Sequence, residues 1–125
     1  MDTRRKIVEP AQVRAAVHTE ATIVTGYFDV LTAALVRRLR EIAGARPGSP
    51  LIAIVLDPDG ALLTARARAE LMAGLAVVDY VVLPGARPLE QVLAQLPAGE
   101  VVREESSDQE RRRNLIEHVQ RRHSS

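Results

Sequence analysis

A chain of 125 residues with 46% hydrophobic and 26% charged residues has the size and balance of one globular domain. Its net charge of +1 sets up no strong field, which argues against wholesale binding to nucleic acid or to an anionic membrane. The absence of cysteine excludes disulfides, thiolate nucleophiles and zinc–thiolate sites, and His18, His118 and His123 have no metal-ligand spacing. No apolar run reaches the roughly 20 residues that span a bilayer, and the opening MDTRRKIVEP lacks the apolar core of a signal peptide. The expectation is a cytoplasmic domain with loose ends at residues 1–9 and 123–125.

Taken in order, Pro10 suits the first turn of a helix running to about Val17. Ala21 to Thr25 is short, β-branched and bounded by Gly26, which predicts a buried strand. A helix is expected from Asp29 or Val30, with Leu31, Leu35, Leu39 and Ile42 on one stripe and arginines opposite. GARPGSP, residues 44–50, stops it. Leu51 to Leu56 is a continuous apolar run and the second strand, closed by Asp57-Pro-Asp-Gly60. A helix over 65–75 follows, with Leu71, Met72 and Leu75 inward, and then a strand over 77–83. Leu89 to Leu96 is a third helix of this series, Gly99 to Arg103 a short fourth strand, and residues 107–122 a charged last helix. Strands alternating with helices over short connections predict an α/β, Rossmann-like three-layer domain with a parallel sheet of four or five strands. A strand that turns through glycine into a helix also presents free backbone N–H groups, a geometry suited to phosphate.

GYFDVLTAALVRRL, residues 26–39, resembles the first signature of the nucleotidyltransferase superfamily, nearest to the heptose-phosphate adenylyltransferases and glycerol-3-phosphate cytidylyltransferases. Gly26, Phe28, Asp29 and Leu31 match that signature. Its two histidines and intervening glycine are replaced by Thr32, Leu35 and Ala34. The resemblance extends to ARAELMAGLAVVDYVVL, residues 67–83, in the place of an arginine-led helix and its following strand. It reaches Glu105-Ser106-Ser107-Asp108, where the family has a Ser-Thr-Thr type segment. The family's lysine-rich loop and its Gly-Asp strand have no counterpart here.

This resemblance implies strand order 3-2-1-4, with the first strand central and the pocket at its carboxyl end. It implies nucleotide-binding candidates at Gly26, Tyr27, Phe28, Asp29, Thr32, Asp57, Arg68, Ser106 and Ser107. The ligand would be magnesium with ATP or CTP, and a homodimer or a protein partner would be expected. In such an enzyme a substrate phosphate attacks the α-phosphate of a nucleoside triphosphate and pyrophosphate leaves. Catalysis is then positioning and charge stabilisation. Thr32 can donate one hydrogen bond and Leu35 none, so impaired catalysis is the first expectation. An active adenylyl- or cytidylyltransferase acting on a sugar or polyol phosphate is the alternative.

Each candidate also has a plain structural reading. Leu35 completes an apolar stripe, Asp29 caps a helix, and Gly26 serves turn geometry. Asp57 belongs to a turn, Arg68 to the surface, and Ser106 and Ser107 to a helix cap. A flavodoxin-like or receiver-like domain is a third option for Asp57, but it lacks the acidic pair and lysine that a receiver needs.

Overall fold

The computed structural model describes residues 2–58 and 60–106. Helix α1 (Pro10–Ala16) precedes strand β1 (Ala21–Gly26), followed by α2 (Ala33–Gly44), β2 (Leu51–Val55) and α3 (Ala65–Ala73). Strand β3 (Tyr80–Val82), α4 (Leu89–Ala94) and β4 (Ala98–Arg103) complete the series. The four strands form one all-parallel sheet in the order β3-β2-β1-β4. This is the α/β Rossmann-like arrangement expected from the alternation of strand and helix.

The sheet divides two apolar layers. On one face, Leu35, Leu39 and Ile42 of α2 and Ala69, Met72 and Ala73 of α3 pack on Val24, Ala53, Val55 and Val81. On the other, Val13 of α1 with Val17 just after it, and Val92 of α4 with Leu96 just after it, pack on Ile23, Ile52, Ile54 and Val82. Strands β1 and β2 are buried at every position, which explains why they read as continuous apolar runs with no alternation. The chain winds from β1 through β2 to β3 across the α2–α3 face. It then returns over the α4 face to place β4 beside β1. The order therefore reverses between β1 and β4, and the carboxyl ends of that pair are the topological switch point.

Several boundaries differ from expectation for identifiable reasons. Helix α2 begins at Ala33, because the Thr32 hydroxyl accepts the Leu35 N–H at 3.1 Å and is the N-cap. Asp29 does not cap it, and Leu31, outside the helix, is exposed rather than part of the stripe. In α3 the inward stripe is Arg68, Ala69, Met72 and Ala73, while Leu71 is exposed and the helix stops before Leu75. Strand β3 is confined to three residues. The expected last helix lies outside the described residues; helical conformation begins at Glu105 and Ser106.

Residues 3–8 have partners elsewhere in the fold. A 3-10 turn over Thr3–Lys6 leads to a parallel bridge between Ile7 and Val81, and Val8 N–H donates to Val81 O at 2.9 Å. Asp2, on the surface, accepts side-chain and backbone hydrogen bonds from Arg4, which lower its carboxyl pKa. Lys6 Nζ donates to Leu75 O at 3.1 Å and Val78 O at 2.8 Å, between α3 and β3. A charged donor on two carbonyls is a comparatively strong contact. Lys6→Met keeps the apolar stem and removes both bonds, so urea unfolding should show a loss of roughly 1.5–3 kcal/mol. An unchanged midpoint would mean that the opening segment adds nothing to the domain.

Candidate functional site

The carboxyl edge of the sheet is where a ligand of this fold would bind. Gly26 ends β1 inside the ladder, with its carbonyl accepting Leu56 N–H at 2.8 Å. The left-handed residue of the following turn is Phe28, with φ of 52°. This conformation is strained for a bulky side chain, and Phe28 holds it while nearly fully buried in the α2–α3 core. The aromatic anchor and Asp29 together set the path of the turn. Asp29, 6% exposed, accepts Leu62 N–H at 2.7 Å and Leu63 N–H at 2.9 Å. Both its carboxylate oxygens are thus engaged by the connection that leads into α3.

Arg68 is the centre of this edge. It lies in the first turn of α3, yet only 1% of it is exposed. Its Nη1 donates to Tyr27 O at 2.8 Å and to Leu56 O, its Nη2 to Asp57 Oδ1 at 2.6 Å, and its Nε to Leu63 O at 3.2 Å. A cation near a helix N-terminus opposes the helix dipole, and a buried guanidinium is costly unless fully hydrogen-bonded. Here three carbonyls and a carboxylate meet both demands. The expectation of a surface or phosphate-facing arginine is therefore corrected: Arg68 is an internal tie. Asp57 is 66% exposed, so it contributes more by geometry than by buried charge.

The switch point itself carries two glutamates. Glu104 N–H donates to Thr25 O at 2.8 Å, and its carboxylate, 4% exposed, takes Arg38 Nε at 2.7 Å. That hydrogen bond is the chief cause of a raised Arg38 pKa. Glu105 Oε1 accepts Thr25 Oγ1 at 3.0 Å and Arg103 Nη2 at 3.0 Å. Carboxylates at Asp29, Asp57, Glu104 and Glu105 thus surround the edge, while Arg38, Arg68 and Arg103 are each tied to one of the last three. This donor set does not fit a magnesium-bound triphosphate, whose negative charge would meet fixed carboxylates and arginines already paired within the chain. Among the described residues, no group of three His, Asp or Glu side chains could hold a metal ion.

The candidates named from the sequence thus separate. Gly26, Tyr27, Phe28, Asp29, Asp57 and Arg68 come together at the carboxyl edge, but as a hydrogen-bonded frame. Thr32 is engaged as a cap and Leu35 is completely buried. Ser106 is exposed just beyond β4, and Ser107 lies outside the described residues. Sequence reading missed Glu104 and Glu105 as site residues, because nothing in a strand followed by two acids signals that they fold into the switch point.

Open clefts occur at the opposite, amino edge. One of about 530 Å³ is lined by His18, Thr19, Ser49, Asp79 and Tyr80 among others, and one of about 440 Å³ adjoins it through His18 and Thr19. Their polar groups already serve the fold. Asp79 Oδ2 accepts Leu51 N–H at 2.8 Å, and Ser49 Oγ lies within hydrogen-bond reach of Thr22 Oγ1 and Glu20 O. Among the described residues no helix is long and apolar enough to cross a membrane. Neither a comparison with known protein families nor one with curated proteins finds a match for this chain.

Two variants test this frame. Arg68→Met should lower stability by about 3–5 kcal/mol in urea unfolding, since it leaves buried carbonyls unpaired. Asp57→Asn should cost about 1 kcal/mol or less, because that carboxylate is largely in water. Equal losses would show that the ion pair, and not the carbonyl bonds, holds the edge. Leu35→His should destabilise by about 2–4 kcal/mol, because the side chain at that position is buried in the core.

Proposed function

We propose that the chain is a nucleotidyltransferase-like protein in which efficient nucleotidyl transfer has been lost, and which serves a regulatory or assembly role. The resemblance of residues 26–39 and 67–83 to the superfamily, in the superfamily's order, supports the kinship. The strand order 3-2-1-4 is compatible with it, though many functions share this architecture.

The observation that carries the loss is the use made of the two motif positions. A transferring site would have donors there, three residues apart on the exposed side of one helix. Here the first position is a neutral hydroxyl, Thr32, whose oxygen accepts the Leu35 N–H as the helix cap, and the second position is an apolar side chain with no exposure. Removing a single transition-state donor commonly costs about 10²–10³ in rate. Replacing both, and lining the switch point with Glu104 and Glu105, leaves little transition-state stabilisation. Any residual recognition of nucleotide or phosphate would fall to the backbone of the turn at residues 26–32.

Calorimetric titration with ATP and with CTP, each with magnesium, tests this reading when pyrophosphate release is assayed on the same sample with sugar and polyol phosphates. The expected result is binding no tighter than the millimolar range and no turnover. Micromolar binding with turnover would overturn it in favour of an active adenylyl- or cytidylyltransferase, with Asp29, Thr32 and Ser106 as the first residues to replace.

A further inference from the structure

We infer that residues 100–105 form a strap that lifts from β1 as one unit while the rest of the sheet stays folded. The strap is the cover of the switch point, and its opening does not depend on the nucleotide reading.

The strap is held differently from the strands beside it. Strands β1 and β2 are buried at every position, whereas the residues of β4 are exposed apart from the half-buried Val102. A segment with little apolar burial opens locally at less cost than the whole domain unfolds. What binds β4 to β1 is the parallel ladder and the polar contacts at its carboxyl end. Glu104 N–H donates to Thr25 O at 2.8 Å, the Glu104 carboxylate takes Arg38 Nε at 2.7 Å, and Glu105 Oε1 takes the Thr25 hydroxyl at 3.0 Å. The Arg38 side chain is 44% exposed, so water is at hand to replace Glu104 on it.

A break in the ladder sets the lower limit of the strap. Ala21 pairs with Ala98 but Thr22 pairs with Glu100, so Gly99 is an extra residue between two registers. Below it the chain is anchored. Ala21 N–H donates to Pro97 O at 2.7 Å, and Val92 and Leu96 belong to the core. Above it, Val102 packs against the α2–α3 core from a half-buried position. The break and the glycine make a hinge, and the anchor keeps α4 in place when the strap lifts. Closed, the strap sets the carboxylates of Glu104 and Glu105 on the switch point. Open, it gives up its hold on Arg38 and on the Thr25 hydroxyl and carbonyl, and the switch point is uncovered.

Native-state hydrogen exchange, followed amide by amide on the full chain, tests this. Thr22 N–H donates to Pro50 O and Gly26 O accepts Leu56 N–H, so these residues and Val24 between them face β2. The alternation then turns the N–H groups of Ile23 and Thr25 towards β4, and those of Val102 and Glu104 towards β1. These four amides should share one opening equilibrium and exchange at least roughly tenfold faster than the core amides of Val24, Ile52 and Ile54. Low urea should accelerate the core amides steeply and the strap amides little, because lifting the strap exposes little surface. Lys6→Met, on the α3–β3 side, should accelerate the core amides roughly 10–100-fold and leave the strap amides unchanged, since the strap lifts with Lys6 still in place. Glu104→Gln keeps the shape and removes the charge, and should accelerate the strap amides about tenfold. Strap amides that follow the core amides in rate and urea dependence overturn the inference. So do strap amides that Glu104→Gln leaves unchanged. If Lys6→Met unfolds the chain, the urea series on the unsubstituted chain decides in its place. The nucleotide titrations are separate measurements, so failure here leaves that reading standing.

Discussion

The buried guanidinium of Arg68 is the constraint on which the carboxyl edge of the sheet depends. A charge removed from water is tolerated only when its donors are satisfied, and these donors find Tyr27 O, Leu56 O, Leu63 O and Asp57. Those partners belong to the turn after β1 and to the connection between β2 and α3. One side chain therefore fixes the relative positions of two connections that in a doubly wound sheet are free to shape a pocket. Asp29 reinforces the same frame from the other direction, crossing from the first connection to the N–H groups of the second. The two contacts are complementary, since Arg68 takes up carbonyls and Asp29 takes up amides. The loops are held by polar satisfaction more than by apolar burial, and Leu31, Leu62 and Leu63 accordingly remain partly in water.

That division explains how the scaffold stands without a ligand. Stability resides in the two apolar layers and in this polar frame, and neither requires a ligand. Positions 32 and 35 both do structural work. Leu35 joins the core and Thr32 closes the end of a helix.

Much of this architecture was legible because it rests on local rules. Two β-branched or aliphatic runs bounded by glycine and proline became β1 and β2, and the stripe of Leu35, Leu39 and Ile42 became the buried face of α2. What was not legible depends on partners far away in the chain. Asp29 reads as a cap because aspartate before a helix usually is one, but its carboxylate is drawn to Leu62 and Leu63, so Thr32 caps instead. The inward face of α3 was misplaced because hydropathy assigns arginine to the surface, and only the carbonyls converging on Arg68 make its burial tolerable. The charged opening was read as loose for the same reason, since the acceptors of Lys6 lie beyond α3.

The two glutamates after β4 bring these threads together. A strand exposed on both faces gains little from the hydrophobic effect, so β4 needs another means of staying on β1. It has the parallel ladder, and at its carboxyl end a polar clamp. Glu104 takes Arg38 from α2 and donates its N–H to Thr25, while Glu105 takes the Thr25 hydroxyl. The clamp acts on β1 at the topological switch point, the place where ligands of doubly wound sheets bind. One set of bonds thus holds the last strand in register and fills that place with negative charge.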